Sequence, residues 1–157
     1  MNSKGFTLIE LVVVIVILGI LATTVAPKYI NLKADAQTST LHGVKAAMEG
    51  ASALVYGKSI VKGNHKLPSS DSPTVEVADG VNVALNYGHP TISVNDWKEL
   101  LDIDLSVYAF TNTIDSAVVV YLVGNTAPLS FQQPCLTYYR SPNSEGDKPL
   151  IGTNPCT

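Results

Sequence analysis

Charge is the first scarcity in this sequence. Of its 157 residues, 15% are Asp, Glu, Lys or Arg, against roughly 25% in an ordinary soluble domain. Apolar residues make up 46%, and most of the excess lies near the N-terminus. Positive charge is not in surplus either. The net charge of −3 leaves no surface basic enough to neutralise a phosphate backbone, so nucleic acid is not an expected partner. Cysteine is equally sparse: Cys135 and Cys156 are the only two, both in the last quarter of the chain. Beside an export-like N-terminus, two late cysteines read as one disulfide formed in an oxidising compartment, with a pair of free thiols as the alternative.

Recognisable chemistry is missing as well. Gly57-Lys58-Ser59 resembles the end of a phosphate loop, but Ser52 stands where the first glycine belongs, and the segment follows a helical pattern rather than a strand. His42, His65 and His89 share no metal-ligand spacing, and no Cys–His cluster accompanies them, so each reads as a surface or loop residue. Asp102 and Asp104 form an Asp-x-Asp pair with no EF-hand loop after it. Trp97, Tyr138 and Tyr139 offer rings to a sugar, yet packing of a core is the plainer reading. No cofactor, no metal and no enzyme activity is expected; a membrane-tethered enzyme has no residues here to carry it.

What the sequence does have is a nearly continuous apolar run over residues 6–26. As a helix these 21 residues reach about 31 Å, the thickness of a bilayer's hydrocarbon. Lys4 precedes the run, which favours leaving that end in the cytoplasm. Glu10 is its only charge. A secretory signal peptide has a shorter apolar core, and the one small-residue site, Thr24-Val25-Ala26, lies directly before Pro27. A plain membrane anchor has no use for Glu10, because an ionisable group in a membrane segment is costly and by default functional.

The stretch Lys4-Gly5-Phe6-Thr7-Leu8-Ile9-Glu10-Leu11 accounts for all of these oddities. It resembles the type IV prepilin signature. The resemblance implies a short basic leader ending at Gly5, cleaved between Gly5 and Phe6 by a prepilin peptidase that then methylates the Phe6 amine. It also implies that Glu10 is an assembly residue. The physics agrees, since a carboxylate in an apolar core needs an opposite charge, and the freed Phe6 amine of a neighbouring subunit supplies one. Such a pair sets the register between helices, as a buried polar residue does in a coiled coil. Pro27 lacks an N–H and clashes with the preceding turn, so a kink is expected there. The resemblance adds that the helix between Gly19 and Pro27 loosens within the fibre.

After Lys28 the pattern turns amphipathic. Leu41, Val44, Met48, Ala51 and Val55 recur at helical spacing and form one apolar stripe, with Gly57 as a stop. One helix is therefore expected from Phe6 to about Tyr56. Residues 58–74 are rich in Gly, Pro, Ser and Asn and read as a linker. Short β-prone runs follow at 74–77, 81–85, 91–94, 106–111, 117–123 and 136–139, with a capped helix at 95–101. The tail from Pro134, with Pro142, Gly146, Pro149, Gly152 and Pro155, reads as loop. The expected fold is α+β: a long helix packed on a mostly antiparallel head. The division is a leader over 1–5, an apolar helix over 6–27, an amphipathic helix over 28–57 and a head over 58–157. A sheet on the second half of the helix, and a C-terminal loop closed by Cys135 and Cys156 as the seat of surface specificity, are also what the resemblance implies. A bridge closing that loop is worth about 3 kcal/mol.

Within the family, residues 5–22 and Pro27-Lys28-Tyr29-Ile30-Asn31-Leu32 resemble most the pilins of mannose-sensitive haemagglutinin fibres. The implied partners are further copies of the chain, the prepilin peptidase and methylase, the pilus assembly machinery and surface glycans. The implied location is the inner membrane before assembly, with the head in the periplasm, and the extracellular fibre after it. A type II secretion pseudopilin would share the N-terminal signature but usually lacks the disulfide loop. A minor pilin is the other alternative.

Overall fold

A strong cap at each end and long apolar and amphipathic patterns between them produce one very long helix, which runs through Pro27 and several glycines. The structure is a computed structural model that describes residues 6–157; the expected leader, 1–5, lies outside the described residues. Helix α1 spans Leu8–Lys62, 55 residues, or about 82 Å at 1.5 Å per residue. Thr7, not Phe6, marks its start, because the Thr7 side chain accepts from the Glu10 amide and so caps the first turn. At the other end the helix runs past Gly57. That residue sits on an exposed face, where an interior glycine costs only about 1 kcal/mol. The helix stops instead at Gly63, whose φ of 78° is left-handed. The Asn64 amide then reaches back to the Ser59 carbonyl at 3.1 Å, the six-to-one bond of a Schellman cap. Residues 58–62 of the expected linker are therefore helical, and a 3-10 turn occupies Ser69–Asp71.

The two halves of α1 meet different surroundings. Residues 6–29 are exposed without exception. In the second half Leu41, Val44, Met48 and Val55 are at most 4% exposed, so the stripe read from the sequence is the face that meets the head. Each such side chain contributes about 1.5–3 kcal/mol on burial.

Two antiparallel sheets form the head. The first joins β1 (Thr74–Ala78), β2 (Val81–Asn86) and the two-residue β3 (His89–Pro90). It packs Val75, Val83 and Leu85 around Val55 of α1. The open edge of β1 is closed by α1 itself. Lys58 donates to the Glu76 and Val77 carbonyls at 3.2 and 2.8 Å, and Lys62 donates to the Thr74 carbonyl at 2.8 Å. Lysines at an edge are a common guard against unwanted strand addition.

The second sheet has the order β4-β5-β6-β7, from β4 (Tyr108–Asn112), β5 (Val118–Leu122), β6 (Leu136–Arg140) and β7 (Leu150–Asn154). Val118, Val119 and Val120 are all fully buried, so this sheet is covered on both faces. Val118, Val120 and Tyr139 face Val44 and Met48 of α1, together with Trp97. Ala117, Val119 and Leu136 face away and are covered by Phe131, Tyr121 and Tyr138.

Two expectations for the head need correction. Residues 91–94 are not a strand: β3 ends at Pro90, and Ser93 caps helix α2 (Val94–Leu100) by accepting from the Asp96 amide. The tail is not all loop, since β7 pairs with the whole of β6. Pro149 and Pro155 bound that strand rather than interrupt it. Gly152 within it leaves room for the Tyr138 ring lying across it, which a side chain there would displace.

Candidate assembly site

The N-terminal tip of α1 gathers the residues that the sequence singled out. The Glu10 carboxylate accepts from the Thr7 amide at 2.8 Å and from the Thr7 hydroxyl at 2.7 Å. In return the Thr7 hydroxyl accepts from the Glu10 amide at 3.3 Å. This reciprocal capping box satisfies two amides that the first turn would otherwise leave bare. Sequence reading missed the role of Thr7, although Thr-x-x-Glu ahead of an apolar run is its signature.

Around the box the surface is apolar. Phe6 is 74% exposed, and with Ile9, Glu10, Val13 and Val14 it lines a shallow hollow. The lone carboxylate thus stands within a greasy surface, held by donors of its own chain. Further along, α1 stays helical through Pro27. Pro27 has no N–H for the Thr23 carbonyl. The Thr23 and Thr24 hydroxyls donate back to the Ile20 and Leu21 carbonyls at 2.8 and 2.9 Å. A side chain added at Gly19 would meet nothing within 4 Å. The Gly5–Phe6 junction falls partly outside the described residues.

At the other end of the chain Cys135 and Cys156 are bonded. The Cys156 amide donates to the Thr38 hydroxyl at 2.9 Å, and the Thr137 hydroxyl donates to the Leu41 carbonyl at 2.8 Å. Both contacts pin the C-terminal strands to α1.

The remaining candidates turn out to be structural. Trp97 and Tyr139 are fully buried with ring centroids 4.5 Å apart. Trp97 donates to the Thr91 carbonyl at 2.9 Å and Tyr139 to the Pro90 carbonyl at 2.6 Å. Burial, only partly offset by hydrogen bonding, pushes the Tyr139 phenol well above its ordinary range. Tyr138 packs on Phe131 at 4.9 Å. Lys58 and Ser59 lie in the last turns of α1, and Ser59 donates to the Tyr56 carbonyl at 2.7 Å. Asp104 accepts from the Ser106 amide at 2.8 Å. Among the described residues no three His, Cys, Asp or Glu side chains are grouped to hold a metal. His42 is exposed, whereas His89 belongs to strand β3 rather than to a loop. It is half-buried and stacks on Tyr56 at 4.5 Å.

A small α+β head riding on the second half of a long helix, with the first half apolar and bare, defines a helix-tethered subunit. Comparison with known proteins gives that class its family. Residues 1–26 match the prokaryotic N-terminal methylation motif. A fimbrial protein of Moraxella nonliquefaciens is 32% identical over 112 residues, covering 61% of this chain and 73% of that protein. A type IV narrow pilus major component of Thermus thermophilus is 43% identical over 54 residues, 34% of this chain and 47% of its own length. A type II secretion system core protein G of Klebsiella pneumoniae is 38% identical over 75 residues, 48% and 46% of the two chains. The chain belongs to the type IV pilin family. It spans about half the length of the Thermus relative and 54% of a type IV major alpha-pilin of Moraxella bovis. These relatives are structural pilins and a secretion-system component, not enzymes. No solved structure matches the chain.

Proposed function

We propose that this chain is the precursor of a structural subunit of a type IV pilus. In this reading a prepilin peptidase removes residues 1–5 and the Phe6 amine is methylated. Residues 6–27 hold the subunit in the inner membrane with its head in the periplasm, and the subunits then polymerise through α1 into an extracellular fibre for attachment. One observation carries the reading: residues 6–29 are exposed on every side, although the most apolar 18-residue window of α1 has a mean hydropathy of 2.8. So large an apolar surface needs lipid before assembly and neighbouring helices after it. The finer reading, an attachment fibre of the mannose-sensitive haemagglutinin kind that meets surface glycans, rests on the resemblance of residues 5–22 and 27–32. A pseudopilin is the second reading, favoured by the similarity to the secretion protein; the Cys135–Cys156 loop argues for a pilin.

Glu10 supplies the test. Cleavage would free the Phe6 amine, one residue from the Thr7 amide that Glu10 already holds, and Glu10 would pair with the amine of an adjacent subunit. Glu10→Gln preserves the capping box, which accepts glutamine as well as glutamate, but removes the charge. Glu10→Val removes both. Both variants are expected to be inserted and cleaved, with N-methyl-phenylalanine at the mature N-terminus by mass spectrometry. Neither is expected to build fibres visible by electron microscopy, because a neighbour's amine would enter the apolar core unpaired. Normal fibres from Glu10→Gln would refute the charge pairing, and a mature start other than Phe6 would refute the processing.

A further inference from the structure

A cleft of about 680 Å³ opens between the last turns of α1 and residues 145–151, inside the disulfide-bounded segment. That volume lies within the about 300–1,000 Å³ of small-molecule sites. Its floor is aromatic. Tyr56 and His89 stack with centroids 4.5 Å apart and planes 11° from parallel, and His65 stands edge-on to Tyr56 at 6.4 Å. The His89 ring is oriented by Ser52, whose hydroxyl lies 3.2 Å from Nδ1. The Nδ1 atom of His65 is buried with no hydrogen-bond partner among the described residues, an arrangement native structures rarely leave unused.

One wall carries backbone strain. Tyr87 and Gly88 form the two-residue turn between β2 and β3, with φ of 49° and 82°. Positive φ at both positions is the type I′ arrangement, which favours Asn, Asp or Gly at the first. A tyrosine there is costly, and the turn packs so closely on α1 that its second position has room only for glycine. A Cβ on Gly88 would lie 2.8 Å from the Ser59 hydroxyl and 2.9 Å from the Tyr56 ring. Nothing in the turn itself asks for the Tyr87 ring, which lines the cleft. Strain of this kind gathers where a side chain is needed for binding.

The charges around the mouth cancel. Lys45 pairs with Glu49 at 3.5 Å and Lys66 with Glu145 at 2.9 Å, while Asp147 and Lys148 carry opposite signs side by side. The cleft therefore has no net field to select an ion. It offers apolar ring surface rimmed by hydrogen-bond donors and acceptors, a surface that matches a ligand with one apolar face and many hydroxyls. We propose that this cleft binds an uncharged hexopyranose ring, such as the end of a glycan chain, against Tyr87 and the Tyr56–His89–His65 floor. The site deepens the attachment reading above and rests on it for its biological meaning; the binding itself is a property of the single folded chain.

The experiment uses the full chain in a phosphocholine detergent, which carries no sugar of its own. Neutral methyl glycosides of glucose, mannose, galactose and N-acetylglucosamine are titrated by calorimetry and saturation-transfer NMR, with methyl glucuronide as a charged control. Saturable binding of at least one neutral glycoside is expected. Tyr87→Asn installs the preferred turn residue, so its melting temperature should equal or exceed that of the unsubstituted chain while sugar affinity falls about tenfold or more. A merely structural tyrosine would not show that split. Tyr56→Leu tests the floor and should also weaken binding. No saturable binding of any neutral glycoside, preference for the glucuronide, or full affinity in Tyr87→Asn would each overturn the proposal. Because sugar binding is read on the detergent-dispersed chain with no fibre present, failure here is distinct from failure of fibre assembly in the Glu10 variants.

Discussion

Glu10 and His89 are half of a contrast in what a single residue reveals. Glu10 was legible because it is the one charge in an apolar run, and that oddity needs no structure. Its partner Thr7 was legible too, three residues earlier, but became meaningful only when the capping box placed both on one turn. His89 was not legible. Nothing local says that a histidine after Gly88 will be folded back by a two-residue turn onto Tyr56. Its position has a consequence for stability. Burial pushes the His89 imidazole below its ordinary value of 6.5, so between the two values the unfolded chain binds more protons than the folded one. Stability is therefore full above about pH 6.5 and declines as the pH falls through the folded-state value. Asp104, held below the usual carboxylate range by hydrogen bonds from Ser106, keeps its contribution across this range and loses it only as the pH falls below the ordinary carboxylate value. Thermal melts between pH 8 and pH 5 should show a decline in the native chain that His89→Gln largely abolishes. Parallel pH profiles for the two proteins would show that His89 does not carry the effect.

At the scale of elements, periodicity was reliable wherever packing obeyed it. The stripe Leu41, Val44, Met48, Ala51 and Val55 marks the buried face of α1 because a helix meeting a sheet must bury one face and only one. Punctuation was less reliable. Gly57 and Gly63 are the same residue type, and what separates them is tertiary. Beyond Gly57, Ser59 is still buried and Lys58 and Lys62 still have β1 carbonyls to reach, so the helix has reason to continue. Strand β7 was hidden by the prolines on either side of it and by Gly152, whose purpose is visible only with Tyr138 across from it. The one-sidedness of α1 can be tested with two truncations six residues apart. Met48 is fully buried and Leu54 is 73% exposed. Met48→Ala should cost about 2–5 kcal/mol of head stability, whereas Leu54→Ala should stay within about 0.5 kcal/mol. Chemical denaturation followed by Trp97 fluorescence reads both. Equal losses would mean that the helix does not present a single face to the head.

The whole molecule divides where its surroundings change, and that division was readable from composition: an apolar half with one charge, then an amphipathic half with a head. The α+β class followed from the order of the patterns. The cleft did not, because it draws on residues near 49–56, 65, 87–89 and 145–151, which only the assembled head brings together. The end of the last hairpin is closed by the Cys135–Cys156 bridge. It joins the residue before β6 to the second residue past β7, 21 positions on. Its Cys156 amide is anchored to Thr38 of α1 while Thr137 anchors beside it at Leu41. The bridge thus fastens the last strands to the helix at the point where the helix leaves the head. Closing a loop of this length is worth about 3 kcal/mol, which for a head of this size corresponds to a melting-temperature loss of roughly 12–24 °C. The double substitution Cys135→Ser, Cys156→Ser should show that loss in near-ultraviolet circular dichroism, and residues 141–149 should become open to protease. The proposed membrane insertion and leader removal should be unaffected, since residues 6–29 bury nothing against the head. An unchanged melting temperature would mean that β6–β7 pairing alone holds the tail. Loss of processing in the double variant would mean that head and apolar helix are coupled in a way the bare first half of α1 does not explain.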